Sequence, residues 1–508
     1  MSLLTSKQRG ELHKAIYQYI HSKSASAELG NELLPNLAQL LEINPHDEEI
    51  VPNYLEKKWT TVVRLQKKIL DLENEVSSYK SLLDSVSHNE SNGSALVLPR
   101  DKLGWLPNIN SKTYKTSSTQ LINAVAVHPS LPLVTAGGSD GSIIAWNLVH
   151  DSSAIPEKMI SAHTRSVTAL RWSPIPVALM DNGPKNWLLA SSSSDLSVKI
   201  WEGDSLKHVR TLTGHEHTVS SVAFSPSNPG ILYSVSRDLS VRVWDLTNGT
   251  CIRKFVGHSE WARDVDAASV DNLLAFGEIK PSMGDFLLTC SNDQSIRLSH
   301  ASSGIGLALL LGHTHVIETV KFLPMLSNKY IDGYVSSILD KMPSLSQEIL
   351  DNPAYHQNLG YKYCISAGRD NLIKLWLLPP PIMRPNRPPA PSELNNSQGW
   401  HLADLIGHHS WVKSLSIHPS GRFVFSGSDD KTIRVWDLST LIEKGSVHCV
   451  KTLQAHEGFV NTVHMAPFEV YIPKDAEKTE EAILKKIEQN MRCIFVTGGV
   501  DKTVRIWS

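Results

Sequence analysis

Along most of the chain apolar residues alternate with small polar ones in short runs, such as "TVSSVAFSP" (218–226) and "RFVFSGS" (422–428). Period-two alternation bounded by Gly, Asp, Ser and Pro predicts half-buried strands. The runs repeat in a fixed frame. An Asp precedes a Trp by six residues at Asp140/Trp146, Asp195/Trp201, Asp238/Trp244, Asp370/Trp376, Asp430/Trp436 and Asp501/Trp507. A seventh copy, "SNDQSIRLS", keeps Asp293 but has Ser299 in the tryptophan's place. Upstream of six copies lies a Gly-His or Ala-His pair, giving His163, His215, His258, His313, His408 and His456.

These residues recur together because they satisfy one another. An Asp on the turn between second and third strands can accept from the His of the entering loop. The imidazole can continue to a strand Ser, and the indole N–H supplies a donor at the far end. Buried polar groups of this kind have to be paired. The unit is a WD-repeat blade, and its repetition predicts an all-β seven-bladed WD-repeat propeller over residues 113–508. Blade one lacks the Gly-His pair, with Ser117-Ser118 standing there. "KTYKTSST" is expected to supply the outermost strand of the last blade, because the printed sequence stops just after Trp507. Pairing the two segments would close the ring without an exposed edge.

Insertions fall unevenly. The loops after the first strand are long in blades two, four, five (Leu326 to Gly360) and seven, and the Pro-rich 378–399 follows the third strand of blade five. All emerge on one face, the bottom, and these loops are left without a role. The top face keeps the short His-bearing loops and Asp-bearing turns, which suits a preformed binding surface. The residue before the network Asp faces the top; it is Arg237 in blade three and Arg369 in blade five. Three residues after the network His stand Trp261 and Trp411, followed two positions on by Arg263 and Lys413, with Lys431 next to Asp430. Arg and Trp are the side chains most often found at binding hot spots.

The N-terminal region changes period. Over residues 54–86, predicted as a parallel coiled coil, Val62, Ile69, Val76 and Leu83 fall at one heptad position and Leu65, Leu72 and Tyr79 at the other. β-Branched residues at the first with Leu at the second favour two parallel strands. In that register Lys68 would face Glu73, and Glu75 would face Lys80, of the second strand. Ahead of it, in a helical dimerisation motif expected over 1–40, Leu12, Ile16, Tyr19 and Ile20 share one helix face. Residues 87–112 read as a flexible linker. The expected whole is a homodimer whose two propellers reinforce each other on one target.

Composition removes alternatives. Lys+Arg 49 against Asp+Glu 51 gives a net charge of −2, which argues against whole-protein attraction to nucleic acid or to an anionic membrane. Five cysteines without a CxxC fit a reducing cytosol, and "GIGLALLLG" is too short to span a bilayer. With no signal-like N-terminus, an intracellular, soluble protein is expected. The 22 histidines invite a metal reading, but the repeated ones sit at blade spacing, and no HExxH, GxSxG or GxxxxGK[ST] occurs. A binding protein without catalytic residues, metal or cofactor is expected.

"QRGELHKAIYQYI", "LEKKWTTVVRLQKKILDLE", "GHEHTVSSVAFSP", "CSNDQSIRL" and "QAHEGFV…VTGGVDKTVRIW" resemble their counterparts in the lissencephaly-1/nuclear-distribution family, in the order LisH helix, coiled coil, propeller. The long bottom-face insertions look more like fungal members. The resemblance implies a non-enzymatic homodimer that binds the motor domain of the cytoplasmic dynein heavy chain. It carries the ring contacts onto Arg237, Arg263, Arg369, Trp411 and Lys431. It further implies a NudE-type coiled-coil adaptor as partner, action at microtubule plus ends and spindle poles, and roles in nuclear migration and spindle orientation. The competing expectation is another LisH/WD-repeat scaffold, such as a ubiquitin-ligase receptor or corepressor subunit. Against it stands the absence of a basic nuclear-import run. Charge reversal at Arg237 and Arg369 is expected to weaken dynein binding without lowering the melting temperature.

Overall fold

The computed structural model describes residues 106–508 except 117–119, 149–157, 180–182, 204, 270–283, 385–386, 393–397 and 467–493, and, of the N-terminal hundred, His13, Ile16, Tyr17, Leu37 and 39–41. In that N-terminal unit Ile16 is helical and half-buried, and His13 Nδ1 lies 3.2 Å from the Leu41 carbonyl oxygen. The other dimerisation residues expected above, and the coiled coil and linker up to 105, lie outside the described residues.

Residues from 106 onward build seven four-stranded antiparallel sheets. Six are continuous in sequence, and the seventh is completed by the N-terminal strand Lys112–Lys115, paired with Thr503–Trp507. The ring is thus closed by chain ends nearly four hundred residues apart, Thr113 facing Arg505. Tyr114 is buried in this seam and stacks on Trp146 of blade one at 5.5 Å. The second strand of each blade is apolar or small throughout and buried along its whole length or nearly so, as in Leu188–Ser193 and Phe423–Ser428. Outer strands such as Thr250–Val256 are largely exposed and alternate more weakly.

Two irregularities recur and set where side chains point. Every innermost strand carries a bulge at its second position, and the bulged residues are Asn123, Thr168, Ser220, Arg263, Glu318, Lys413 and Asn461. A bulge leaves one residue unpaired and re-aims its side chain. The turn after the second strand places one residue in the left-handed region in all seven blades: Gly141, Leu196, Leu239, Gln294, Asn371, Lys431 and Lys502. Six of these are not glycine and carry a conformational cost of about 1 kcal/mol each. The preceding Asp offsets it by accepting from the backbone N–H beyond the turn, as Asp238 does from Ser240 at 3.0 Å.

The segment read as a loop from Leu326 to Gly360 is folded. It forms a helix, Asn328–Ile338, then short helical turns, and buries Ile331, Val335, Ile349, Leu350 and Tyr355 in the largest apolar cluster. Tyr355 Oη donates to the Leu378 carbonyl at 2.7 Å, and Trp400 Nε1 donates to Ser344 at 3.0 Å. The bottom face here is covered by a packed cap rather than by free chain. Only its spaced apolar residues signalled this, and their period is interrupted by Gly333 and by Ser336-Ser337.

Candidate functional site

The histidine network is built in six blades. His163, His215, His313 and His408 reach Asp195, Asp238, Asp370 and Asp430 at 2.7–2.8 Å, and His456 reaches Asp501 at 2.9 Å. Their other ring nitrogens meet Ser191, Ser234, Ser366, Ser426 and Thr497, and the same hydroxyls accept from Trp201, Trp244, Trp376, Trp436 and Trp507. Blade four keeps His258 between Asp293 and Thr289 but has no indole donor. In blade one Gln120 replaces the histidine, donating to Asp140 and Ser142, and Ala136 stands where the acceptor hydroxyl would be. These hydrogen bonds hold Asp238, Asp293, Asp430 and Asp501 well below the usual carboxylate range, despite burial that opposes ionisation. Burial presses His163 and His408 downward, which keeps the rings neutral. The histidines are structural, and no group of His, Cys, Asp or Glu among the described residues could hold a metal ion.

The seven bulged residues converge on the central channel, joined toward the top by three of the residues that precede the network Asp: Ser194, Arg237 and Arg369. They line a funnel of about 460 Å³. Its wall carries Arg171, Arg237, Arg263, Lys321, Arg369 and Lys413 against the two carboxylates Asp264 and Glu318. Arg171 and Lys321 stand deeper in the channel, with Lys321 paired to Asp264 and Asp266, so the cations nearest the top are Arg237, Arg263, Arg369 and Lys413.

The arginines are held, not free. Arg237 lies over the Trp261 ring at 4.8 Å, with Arg263 over the same ring at 5.9 Å, and Arg369 lies over Trp411 at 4.3 Å. Such contacts contribute about 0.5–1 kcal/mol each and fix the guanidinium plane. Glu318 binds Arg369 Nε at 2.5 Å and Arg263 Nη1 at 3.6 Å, joining blades four and five. Arg263 also donates to Asn292 at 2.7 Å. Lys413 pairs with Asp429 at 2.8 Å. Burial, then the charge of Arg263, weaken the hold of Arg237 on its proton, with Glu318 acting against them and Arg369 adding to them. Trp261 and Trp411 keep 37% and 39% of their surface exposed, enough to be covered by a partner.

Of the five residues marked by family resemblance, Arg237, Arg263, Arg369 and Trp411 line this funnel. Lys431 does not; it is exposed on the blade-six turn, in the left-handed position. Arg171, Asp264, Glu318 and Lys321 were missed. The signal for Glu318 was present, because it stands five residues after His313, the position that holds Arg263 in blade four and Lys413 in blade six. Its engagement with Arg369 also bears on the reversal expected above, since a carboxylate there would face Glu318.

A family model described as "WD domain, G-beta repeat" matches residues 110–147, 155–202, 206–245, 399–437 and 447–508. The unmatched stretch holds blade four, which lacks its tryptophan, and blade five, which carries the helical cap. Over 526 residues the chain is 56% identical to the nuclear distribution protein PAC1 of Debaryomyces hansenii, covering 100% of this chain and 99% of that protein. It is 54% identical over 520 residues to the PAC1 of Scheffersomyces stipitis, covering 100% and 99%. With the PAC1 of Meyerozyma guilliermondii the identity is 53% over 523 residues, covering 100% of both chains. Sharing the repeat architecture and more than half of its residues with proteins of that name from end to end, the chain belongs to the fungal nuclear distribution protein PAC1 family.

Proposed function

We propose that this protein is a non-enzymatic, dimeric regulator that binds the motor domain of cytoplasmic dynein through the top face of its propeller. In this role it supports dynein targeting to microtubule plus ends, nuclear migration and spindle orientation, with a NudE-type coiled-coil adaptor as a further partner. The observation that carries the reading is the convergence of Arg237, Arg263 and Arg369 on one funnel, each stacked on Trp261 or Trp411. Preorganised guanidinium groups over exposed indoles cost little further ordering on binding, and they match a partner that offers carboxylates beside apolar surface. A regulator of this kind biases a motor by preferring one conformation of its ring.

The test is a pull-down with purified dynein motor domain. Arg237→Glu removes a cation with no carboxylate partner of its own among the described residues. Arg369→Gln leaves a donor for Glu318. The double variant is expected to stay folded, with its melting temperature within a few degrees of the parent, and to lose at least tenfold in affinity. Unchanged capture by the folded variant would contradict the reading.

A further inference from the structure

The absent tryptophan of blade four leaves a cavity, and the other blades show what fits it. Between the outer strand of blade three and the outer strand of blade four lies a space of about 320 Å³, lined by Phe255, Val256, His258, Thr289, Arg297 and Ser299, among others. The backbone at Ser299 matches that of its tryptophan counterparts. The same register shift precedes Ser299, Trp201, Trp244, Trp376 and Trp436. In blades three, five and six the far edge of the indole reaches the glycine before the network histidine: a Cβ built on Gly214, Gly312 or Gly407 would lie 3.4, 2.9 and 3.1 Å from the ring's Cη2. At Gly257 in blade four the three nearest atoms all belong to Arg297, the counterpart of the arginines that also approach Gly214 and Gly407, and no ring atom is among them.

The polar ends of the missing ring's position survive. Thr289 stands where Ser234, Ser366 and Ser426 accept from an indole N–H at 2.8–2.9 Å, and it keeps its contact with His258 at 2.9 Å. Arg297 holds the place of Arg242, which lies over the Trp244 ring at 5.8 Å. The outer wall is thinned in register. Facing Ser299 is Gly306, whereas His208 and His401 face and cover Trp201 and Trp376 at 5.2 and 5.1 Å. Gly306 is exposed and a Cβ on it would meet nothing within 4 Å, which leaves a mouth to solvent there, while Pro391 supplies another part of the wall.

We infer that this cavity is a binding site for a single indole ring, supplied either as a free small molecule or on the tryptophan of a peptide. The ring would lie beneath the Arg297 guanidinium, donate its N–H to Thr289 and pack on Phe255, Val256 and Leu307. Apolar walls from Val241, Phe255, Leu307 and Ala308, with a few converging polar groups on His258, Thr289, Arg297 and Ser299, are the make-up of a small-ligand site. A lined cavity left by a large side chain can bind a ligand shaped like the lost group. The site lies on the side of the ring, away from the funnel, and does not depend on dynein binding.

The test titrates the full-length protein with indole, with 1-methylindole, which lacks the donor, and with the peptide Gly-Gly-Trp-Gly-Gly, read by ligand-observed NMR and by melting temperature. Indole is expected to bind saturably and raise the melting temperature, with 1-methylindole about tenfold weaker for want of the hydrogen bond. Ser299→Trp fills the space and should abolish binding. Gly306→Phe, which closes the mouth from the surface, does the same should Ser299→Trp fold poorly. Binding of the peptide assigns the ring to a protein partner, and binding of free indole alone assigns it to a small molecule. Absence of saturable binding by either, or equal binding by the parent and both filled variants, overturns the inference.

Discussion

Glu318 meets two guanidinium groups from neighbouring blades while only 13% of its side chain is exposed. Neutralising it leaves Arg237, Arg263 and Arg369 facing one another across a poorly solvated funnel. Glu318→Gln is therefore expected to destabilise the fold by about 1–3 kcal/mol, measured by urea denaturation at neutral pH, although it adds net positive charge to the funnel. His418 is a second residue whose state is set by its surroundings. It is buried in blade six, accepts at Nδ1 from the Ser420 N–H at 3.2 Å, and is pushed by burial down to about 4. The unfolded chain takes up this proton near pH 6.5, whereas the folded chain resists until about pH 4, so stability falls on acidification between those values. His163 and His408 act in the same direction. The network carboxylates act in a lower window: their folded-state pKa is depressed, so their contribution is present above about pH 4 and lost below it. His418→Asn, which keeps an acceptor near Nδ1, should flatten the slope of stability between pH 7 and 5 in urea titrations. An unaltered slope would show that the ring titrates freely.

Among the elements, the closing strand shows how much rests on a short segment. Lys112–Lys115 has four residues and one buried side chain, Tyr114, yet it covers the outer edge of blade seven and packs on blade one. Tyr114→Ala should cost about 3 kcal/mol, and removal of residues 106–115 should cost more and broaden the thermal transition, both readable by calorimetry. This closure was legible because the last repeat breaks off after its third strand while an unmatched alternating run precedes the first. The bulges were not legible. Alternation marks which strand face is buried, but it does not show that the second residue of every inner strand is displaced and aimed at the axis. Glu318 was therefore passed over although it stands in plain register with Arg263 and Lys413. Blade one lacks the Gly-His pair as read from the sequence, but that reading did not identify Gln120, which is long enough to reach Asp140 and does the bonding.

In the whole molecule, opposite ends of one ring have diverged. The bottom carries a folded cap in blade five, and the top has kept its loops short and gathered Arg237, Arg263, Arg369 and Lys413 beside Glu318 and Asp429. A field of that kind steers an acidic partner toward the axis and is screened within about 8–10 Å at physiological salt. The association rate with the dynein motor domain should therefore fall several-fold between 50 and 300 mM salt, roughly, while the dissociation rate changes less, as measured by stopped flow. The measurement that bears most directly on the docking surface is the equilibrium affinity of the full-length protein for purified dynein motor domain, compared between the parent, Arg237→Glu/Arg369→Gln, and a control such as Lys207→Glu on an exposed outer strand. At least tenfold weaker binding by the funnel variant, with the control unchanged, is the predicted result. Equal affinities for all three folded proteins would contradict it.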